Sequence, residues 1–332
     1  MILPIQHVGF GMPKYKQLIA SVEDAILSKK LFVGDALPSI NELGQSFGFS
    51  RDTVLTALNE LKARGIVQAI AGKGCYVSGT DISIKQKVFV LFDEFNAFKE
   101  DLYNAFLEAL PPHFQVDIFF HHFNRNIFSK LILDHVGQYN YYVVMPANVP
   151  KTEEVLSHLS PHQVYVLDQT TKGLSKYPSV YQNFDKGIFD SLMAVKDLLD
   201  RYTNLILIYP EKKQPKAMVS GFQRFKRLNK LNYELIKTLK GRQPKRREVY
   251  LVLEDSDLIL LIKSIKSEGL TVGRDVGVIS YNDSMFKEIL EGGITTISTD
   301  FKQMGSKLAS MILNRENIKV ENPNQIIIRQ SL

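Results

Sequence analysis

The chain has 332 residues, 45% of them hydrophobic and 23% charged, with a formal net charge of +6; that length suits one small and one medium domain, and the basic balance permits a polyanionic partner without requiring one. No apolar run reaches the length of a membrane span, and the opening Met1-Ile2-Leu3-Pro4-Ile5-Gln6-His7 lacks the basic start and apolar stretch of a secretory leader, so a cytoplasmic protein with no membrane role is expected. The lone cysteine, Cys75, excludes an intramolecular disulfide framework and suits a reducing compartment.

Residues 1–12 read as a short extended arm. From Tyr15 to Lys29 the apolar residues Leu18, Ile19, Val22, Ala25 and Ile26 recur at helical spacing. After a turn at Gly34-Asp35, Pro38-Ser39-Ile40-Asn41-Glu42 opens a second helix, with Ser39 and Glu42 spaced as a capping box. Phe47-Gly48-Phe49 breaks it, and Ser50 can cap a third helix whose apolar face carries Val54, Ala57, Leu58 and Leu61. Gly65 ends that helix. Ile66–Ile70 and Cys75–Ser78 then read as two short strands around Ala71-Gly72-Lys73-Gly74.

Three helices and a β-hairpin in this order outline a winged helix-turn-helix, an α+β unit whose third helix presents its first turn to the major groove. Arg51 stands in that turn and can donate two hydrogen bonds to guanine or pair with phosphate. Ser50 and Thr53 are short hydroxyl donors suited to phosphate. Asp52 can favour the helix N-terminus electrostatically or accept from a cytosine amino group. Lys73, between Gly72 and Gly74, can reach phosphate or the minor groove from the wing tip.

The segments Gly34–Leu43, Phe47–Val54, Ala57–Leu61, Gly65–Val67 and Gly72–Val77 closely resemble the GntR DNA-binding domain. The resemblance implies that Ser39, Arg51, Thr53 and the Gly72–Gly74 wing tip lie at operator DNA. Many members carry Arg where this chain has Asn41, a residue that can bind adenine or phosphate instead.

Residues 79–86 are polar and read as a linker between a unit at 1–78 and a larger one at 87–332. In the larger unit, strand-like runs recur at Val88–Phe92, Val116–Phe120, Tyr142–Met145, Val164–Leu167, Leu205–Tyr209, Val249–Leu253 and Val276–Ser280. Amphipathic segments such as Ala97–Leu110, Asp185–Leu199 and Asp257–Glu268 lie between them. This alternation predicts parallel sheets covered by helices, with ligands beyond the carboxyl ends of strands. Those ends include Asp93-Glu94-Phe95, His121-His122, Pro146-Ala147, Asp168-Gln169 and Glu254-Asp255.

Gly269–Asp283, Ile294–Asp300, Met304-Gly305 and Ile326–Ser331 resemble the effector domain of LacI/GalR regulators and the related periplasmic sugar-binding proteins. Val180–Gly187 resembles the crossing between their two lobes. The resemblance implies an α/β two-lobed domain with parallel sheets, with Glu254, Asn282 and Asp283 at the cleft and Asn183 and Asp185 at its hinge side. Asp93 joins them as a strand-end carboxylate, and Phe95, Phe184 or Tyr281 must supply any stacking surface, since tryptophan is absent. Where relatives carry a sugar-binding Arg before Gly221-Phe222, this chain has Met218.

His113, His121 and His122 make a poor metal set, no phosphate-cradling Gly-rich loop is evident, and no cofactor or catalytic constellation is expected. The sequence thus predicts a homodimeric DNA-binding regulator, of the kind that joins a GntR head to a LacI-like sensor, as in arabinose-type repressors. Its partners are operator DNA and a small effector, with a neutral pentose or deoxyhexose favoured over a phosphorylated sugar because the cleft positions named are acidic or amide. The alternatives are a non-sugar metabolite, or a sensor used mainly for dimerisation.

Overall fold

The computed structural model describes residues 13–78 and 86–332. The expected arm at 1–12 lies outside them, as does the expected linker except for Gln86, which opens the first strand of a sheet.

The head contains α1 (Lys14–Leu27), α2 (Ile40–Phe47), α3 (Arg51–Ala63) and an antiparallel pair, β1 (Val67–Ile70) and β2 (Gly74–Val77). Leu18, Val22 and Ala25 on one face of α1 meet Val54, Ala57 and Leu61 on one face of α3, all fully buried. Both expected caps form. The Glu42 backbone N–H donates to Ser39 Oγ at 3.3 Å, the Ser39 N–H donates to Glu42 Oε2 at 2.7 Å, and the Thr53 N–H donates to Ser50 Oγ at 3.3 Å. These bonds satisfy donors that the first turns leave open.

The remaining elements, in order, are β3 (Gln86–Phe92), α4 (Ala97–Glu108), β4 (Phe114–Phe120), α5 (Arg125–Asp134), β5 (Tyr141–Val144), α6 (Thr152–Leu156), β6 (Val164–Asp168) and β7 (Ser179–Tyr181). They continue as α7 (Phe184–Ala194), α8 (Lys196–Leu199), β8 (Asn204–Ile208), α9 (Lys216–Leu228), β9 (Asn232–Ile236), β10 (Glu248–Val252), α10 (Asp255–Ser267) and β11 (Gly277–Tyr281). The last are α11 (Met285–Ile289), β12 (Thr295–Thr299), α12 (Phe301–Leu313), β13 (Lys319–Glu321) and β14 (Asn324–Ile327).

Two six-stranded sheets result. The first, in the order β13-β7-β6-β5-β3-β4, is parallel throughout; the second, β14-β12-β11-β10-β8-β9, is parallel except for β14. In β3, Val88, Val90 and Phe92 face α4 and α12, while Phe89 and Leu91 face α5 and α6. In β8, Leu205 and Leu207 face α7 and α9, while Ile206 and Ile208 face α10. Burial on both faces is why these strands read as unbroken apolar runs.

The chain crosses between the sheets at residues 182–183, at Asp300 and at residues 322–323. The expected helix over Asp185–Leu199 is broken at Val195, where φ is −111° and ψ is 17°. In each lobe one helix pair approaches through a glycine: a Cβ on Gly305 of α12 would stand 2.2 Å from the Leu102 carbonyl oxygen of α4, and one on Gly221 of α9 would stand 2.2 Å from that of Asp185 in α7.

Candidate nucleic-acid interface and ligand cleft

On the head, Ser39, Asn41, Ser50, Arg51 and Asp52 are all exposed, at the start of α2 or of α3. Thr53 is half-buried, and its hydroxyl lies 2.8 Å from Ser50 Oγ. Part of the hydrogen-bonding capacity of Ser39 and Ser50 is spent on capping, which leaves Arg51 and Asn41 as the freer donors. Asp52 stands in the first turn of α3, where a carboxylate favours the helix dipole. Lys73 is exposed at the hairpin tip, and Gly72 (φ +73°) and Gly74 (φ +109°) hold left-handed backbone that side-chain-bearing residues resist.

The cleft between the two sheets has an inner and an outer compartment that share Gln169, Gln182, Phe184 and Pro215. Asp93, Tyr281 and Asn282 come together in the inner one, at the ends of β3 and β11. There the Lys99 ammonium of α4, itself buried, pairs with Asp93. Tyr281 donates to Gln182 Oε1 at 3.0 Å, and Gln182 donates to Asp168 Oδ1 at 2.6 Å. Burial, and then the nearby Asp93 carboxylate, push Asp168 up to about 6. Met218 lines this compartment as an apolar wall, and Lys99 supplies a cation.

Asn282 is left-handed (φ +59°), and its buried side-chain oxygen has no protein partner. Left-handed residues also occur at His122, Ala147 and Asp168, each at or just past a strand end, so backbone strain gathers at the rim of the cleft. The Tyr281–Asn282 turn is held from behind by buried Lys287, which donates to the carbonyls of Tyr281 at 2.8 Å and Asn282 at 2.7 Å and pairs with Asp255 at 2.7 Å.

Asn183 lines the outer compartment and caps α7, accepting from the Lys186 N–H at 3.3 Å. The other predicted ligand residues, Phe95, Asp185, Glu254 and Asp283, do not line either compartment, although Glu254 touches Gln214, which does. Glu254 accepts from Gln214 at 2.8 Å, and burial raises its carboxyl. Asp185 pairs with Arg224, whose guanidinium lies over the Phe189 ring at 4.0 Å. Phe95 is 55% exposed and meets Phe120 edge-on. Both Asp283 oxygens accept from Arg329 at 2.8 Å. Burial alone would raise the Asp283 carboxyl, but the Arg329 and Thr296 bonds outweigh it and hold it below the usual range.

Lys99, Gln182 and Gln214 are not candidates from the sequence, and Lys213 reads there only as part of the basic stretch Lys212-Lys213, a solvated face. For Lys99 a signal existed: it lies one helical turn before Leu102, on the side of α4 that faces the sheet. His121 is buried with Nε2 3.0 Å from the Met145 carbonyl oxygen. Among the described residues no group of three or more His, Cys, Asp or Glu is placed to hold a metal.

Residues 14–77 match the gntR family of bacterial regulatory proteins, and residues 202–332 match the periplasmic binding protein-like domain. The fold is shared with a LacI family transcriptional regulator from Silicibacter pomeroyi, at a TM-score of 0.64 and 15% identity over 74% of this chain and 98% of that one. A dimeric Lac repressor shares it at a TM-score of 0.62 and 14% identity, with the same coverage of 74% and 98%. The chain therefore joins a GntR-type DNA-binding domain to a domain with the LacI-like, periplasmic-binding-protein-like fold.

The chain is similar from end to end to the arabinose metabolism transcriptional repressor of Geobacillus stearothermophilus, at 23% identity over 97% of this chain and 96% of that one. Shorter matches include the mannosyl-D-glycerate transport/metabolism system repressor of Escherichia coli, 35% identical over 25% of this chain and 34% of that one. Another is the uncharacterized HTH-type regulator YdfD of Bacillus subtilis, 36% identical over 23% and 16%. The matched region spans about a third or less of the length of these two relatives.

Proposed function

We propose that the chain is a cytoplasmic, homodimeric repressor rather than an enzyme, and that a monosaccharide-like effector held between the lobes sets its affinity for operator DNA. The observation that carries this reading is the cleft itself. It lies at strand ends between lobes joined by three crossings, and Asp93, Gln182, Tyr281 and Asn282 bring carboxylate, amide and hydroxyl groups to it. Such groups bridge adjacent sugar hydroxyls, and Phe184 offers an apolar face. The end-to-end likeness to an arabinose repressor supports a carbohydrate role, with a pentose or deoxyhexose as the simplest effector.

No helix among the described residues is long and apolar enough to cross a membrane. Met285 and Ile289 on α11, 86% and 77% exposed, stand beside partly exposed Phe286, an apolar surface suited to a second copy. Effector-driven closure would then alter the spacing of two heads on a pseudo-palindromic operator.

Selection of bound duplexes from a random pool tests the DNA reading. The expected product is a two-fold symmetric site, and Arg51→Ala should weaken binding to it by about 1–3 kcal/mol. Selection of no consensus would sink the reading. Thermal unfolding against a monosaccharide panel tests the effector: a ligand at 100 times its Kd adds about 2.7 kcal/mol to the state that binds it, and Asn282→Ala should abolish that shift. Met285→Lys with Ile289→Lys should shift the mass in solution from dimer to monomer.

A further inference from the structure

The two compartments of the cleft differ in charge. In the inner one two carboxylates already have cations, Asp93 with Lys99 and Glu94 with Lys213 at 2.9 Å, while Asp168 accepts from Gln182. Its free space is about 60 Å³, room for only a few water molecules. The outer compartment, about 780 Å³, is of ordinary ligand size.

Asn148, Gln169, Thr170 and Thr171 give the outer compartment neutral hydrogen-bonding walls, and its charged residues are Glu211, Lys212 and Lys216. Glu211 is neutralised by Lys237 at 2.9 Å. No carboxylate lies within ion-pairing distance of Lys212 or Lys216 among the described residues. Lys216 also acts electrostatically on Glu211, but with Lys237 already paired to that carboxylate the compartment keeps an excess of positive charge beside a polar wall, which favours an anion.

We infer that the effector is an anionic sugar, whose phosphate or carboxylate is held by Lys212 and Lys216 in the outer compartment while its hydroxyls face Gln169 and Gln182. This rests on the cleft being the effector site. It departs from the neutral sugar expected from the sequence, because the strand-end positions named there omitted the segment after β8 that carries both lysines. The anion's class follows from charge alone, so phosphate and carboxylate are separated by experiment.

The test is calorimetric titration of the full chain with matched probes: arabinose against arabinose 5-phosphate, glucose against glucose 6-phosphate and glucuronate, and inorganic phosphate alone. At least one anionic sugar should bind tenfold or more tighter than its neutral parent. The preference should shrink as salt rises. A chain carrying Lys212→Ala and Lys216→Ala should lose the preference while unfolding, without sugar, at the unaltered temperature. Phosphate sugars alone binding, or glucuronate alone, each supports the inference and names the group. A neutral parent binding as tightly as its anionic partner overturns the inference and leaves the cleft reading standing. The same holds if the preference survives in the doubly substituted chain. If every probe fails to bind, the inference and the cleft reading fall together.

Discussion

The Lys213 ammonium, on the segment after β8 in the second lobe, donates to the Glu94 carboxylate, just past β3 in the first, at 2.9 Å. One residue further on, the Gln214 carbonyl accepts from Asn148 of the first lobe at 2.9 Å. The lobes are thus tied across the cleft by one short segment. Both charged partners are partly exposed, so the tie is weak in free energy but well placed to bias opening. Glu94→Gln should widen the unliganded sensor, read as a larger radius of gyration in small-angle scattering, and should lower effector affinity by depleting the closed form. An unaltered radius would show that the crossing segments alone set the closure.

Asp283 and Arg329 form a bidentate pair, with side chains 24% and 16% exposed. Removing one partner of such a pair leaves the other charge poorly solvated, so Asp283→Ala should cost about 3 kcal/mol in denaturant unfolding. Because Asp283 is held below the usual carboxylate range, its contribution is present above the unfolded pKa and is lost as pH falls through the folded one. Effector affinity at neutral pH should be unaffected. A large loss of affinity with little loss of stability would put Asp283 in the ligand site instead.

Asp168 works in the opposite sense. An aspartate in the unfolded chain titrates near 3.9, whereas burial and Asp93 push Asp168 up to about 6. Below about pH 4 it is protonated in both states and costs nothing. Between there and about 6 the unfolded chain has released a proton that the folded chain still holds, so stability falls as pH rises through this window. Asp168→Asn should therefore stabilise the sensor at pH 7.5, by at most about 3 kcal/mol, with the gain vanishing near pH 4. A gain independent of pH would refute the assignment.

Gly305→Ala places a methyl against the Leu102 carbonyl, where backbone rather than a flexible side chain must yield. The expected loss is about 1–3 kcal/mol or more. It should be measured as a lower unfolding midpoint of the sensor, with the head's helical signal and melting unaltered. If the substitution is tolerated, α4 and α12 must be able to separate without cost.

The head was legible because its signals are local. Ser39 and Glu42 announce a cap, Ser50 another, and the spacing of Leu18, Val22 and Ala25 a helix face; each can be read within a few residues. The first-lobe strands were legible as apolar runs, although short β7 and β13 were not, since three residues carry little periodicity. The site was harder. Asp93, Tyr281 and Asn282 stand at strand ends, where a ligand position is expected, and the structure brings them together. Lys99, Gln182 and Lys213 reach the cleft from a helix, a crossing and a loop, and only the packing of the lobes makes them neighbours. The carboxylate of Asp283 reads like a ligand in sequence, because its partner Arg329 is 46 residues away.

The three crossings have a consequence for synthesis of the chain. The first lobe takes β3 to β7 from one end of the sensor and α12 with β13 from the other. Until residues 301–321 have left the ribosome, α4 lacks its neighbour α12, and the sheet face that the two helices cover together is left half covered. The head, a single contiguous stretch, is free of that delay and can be complete while most of the sensor is still unmade. Under the proposed function, a chain built in this order carries its DNA-reading surface before it has the lobes that hold an effector or the α11 surface that pairs two copies.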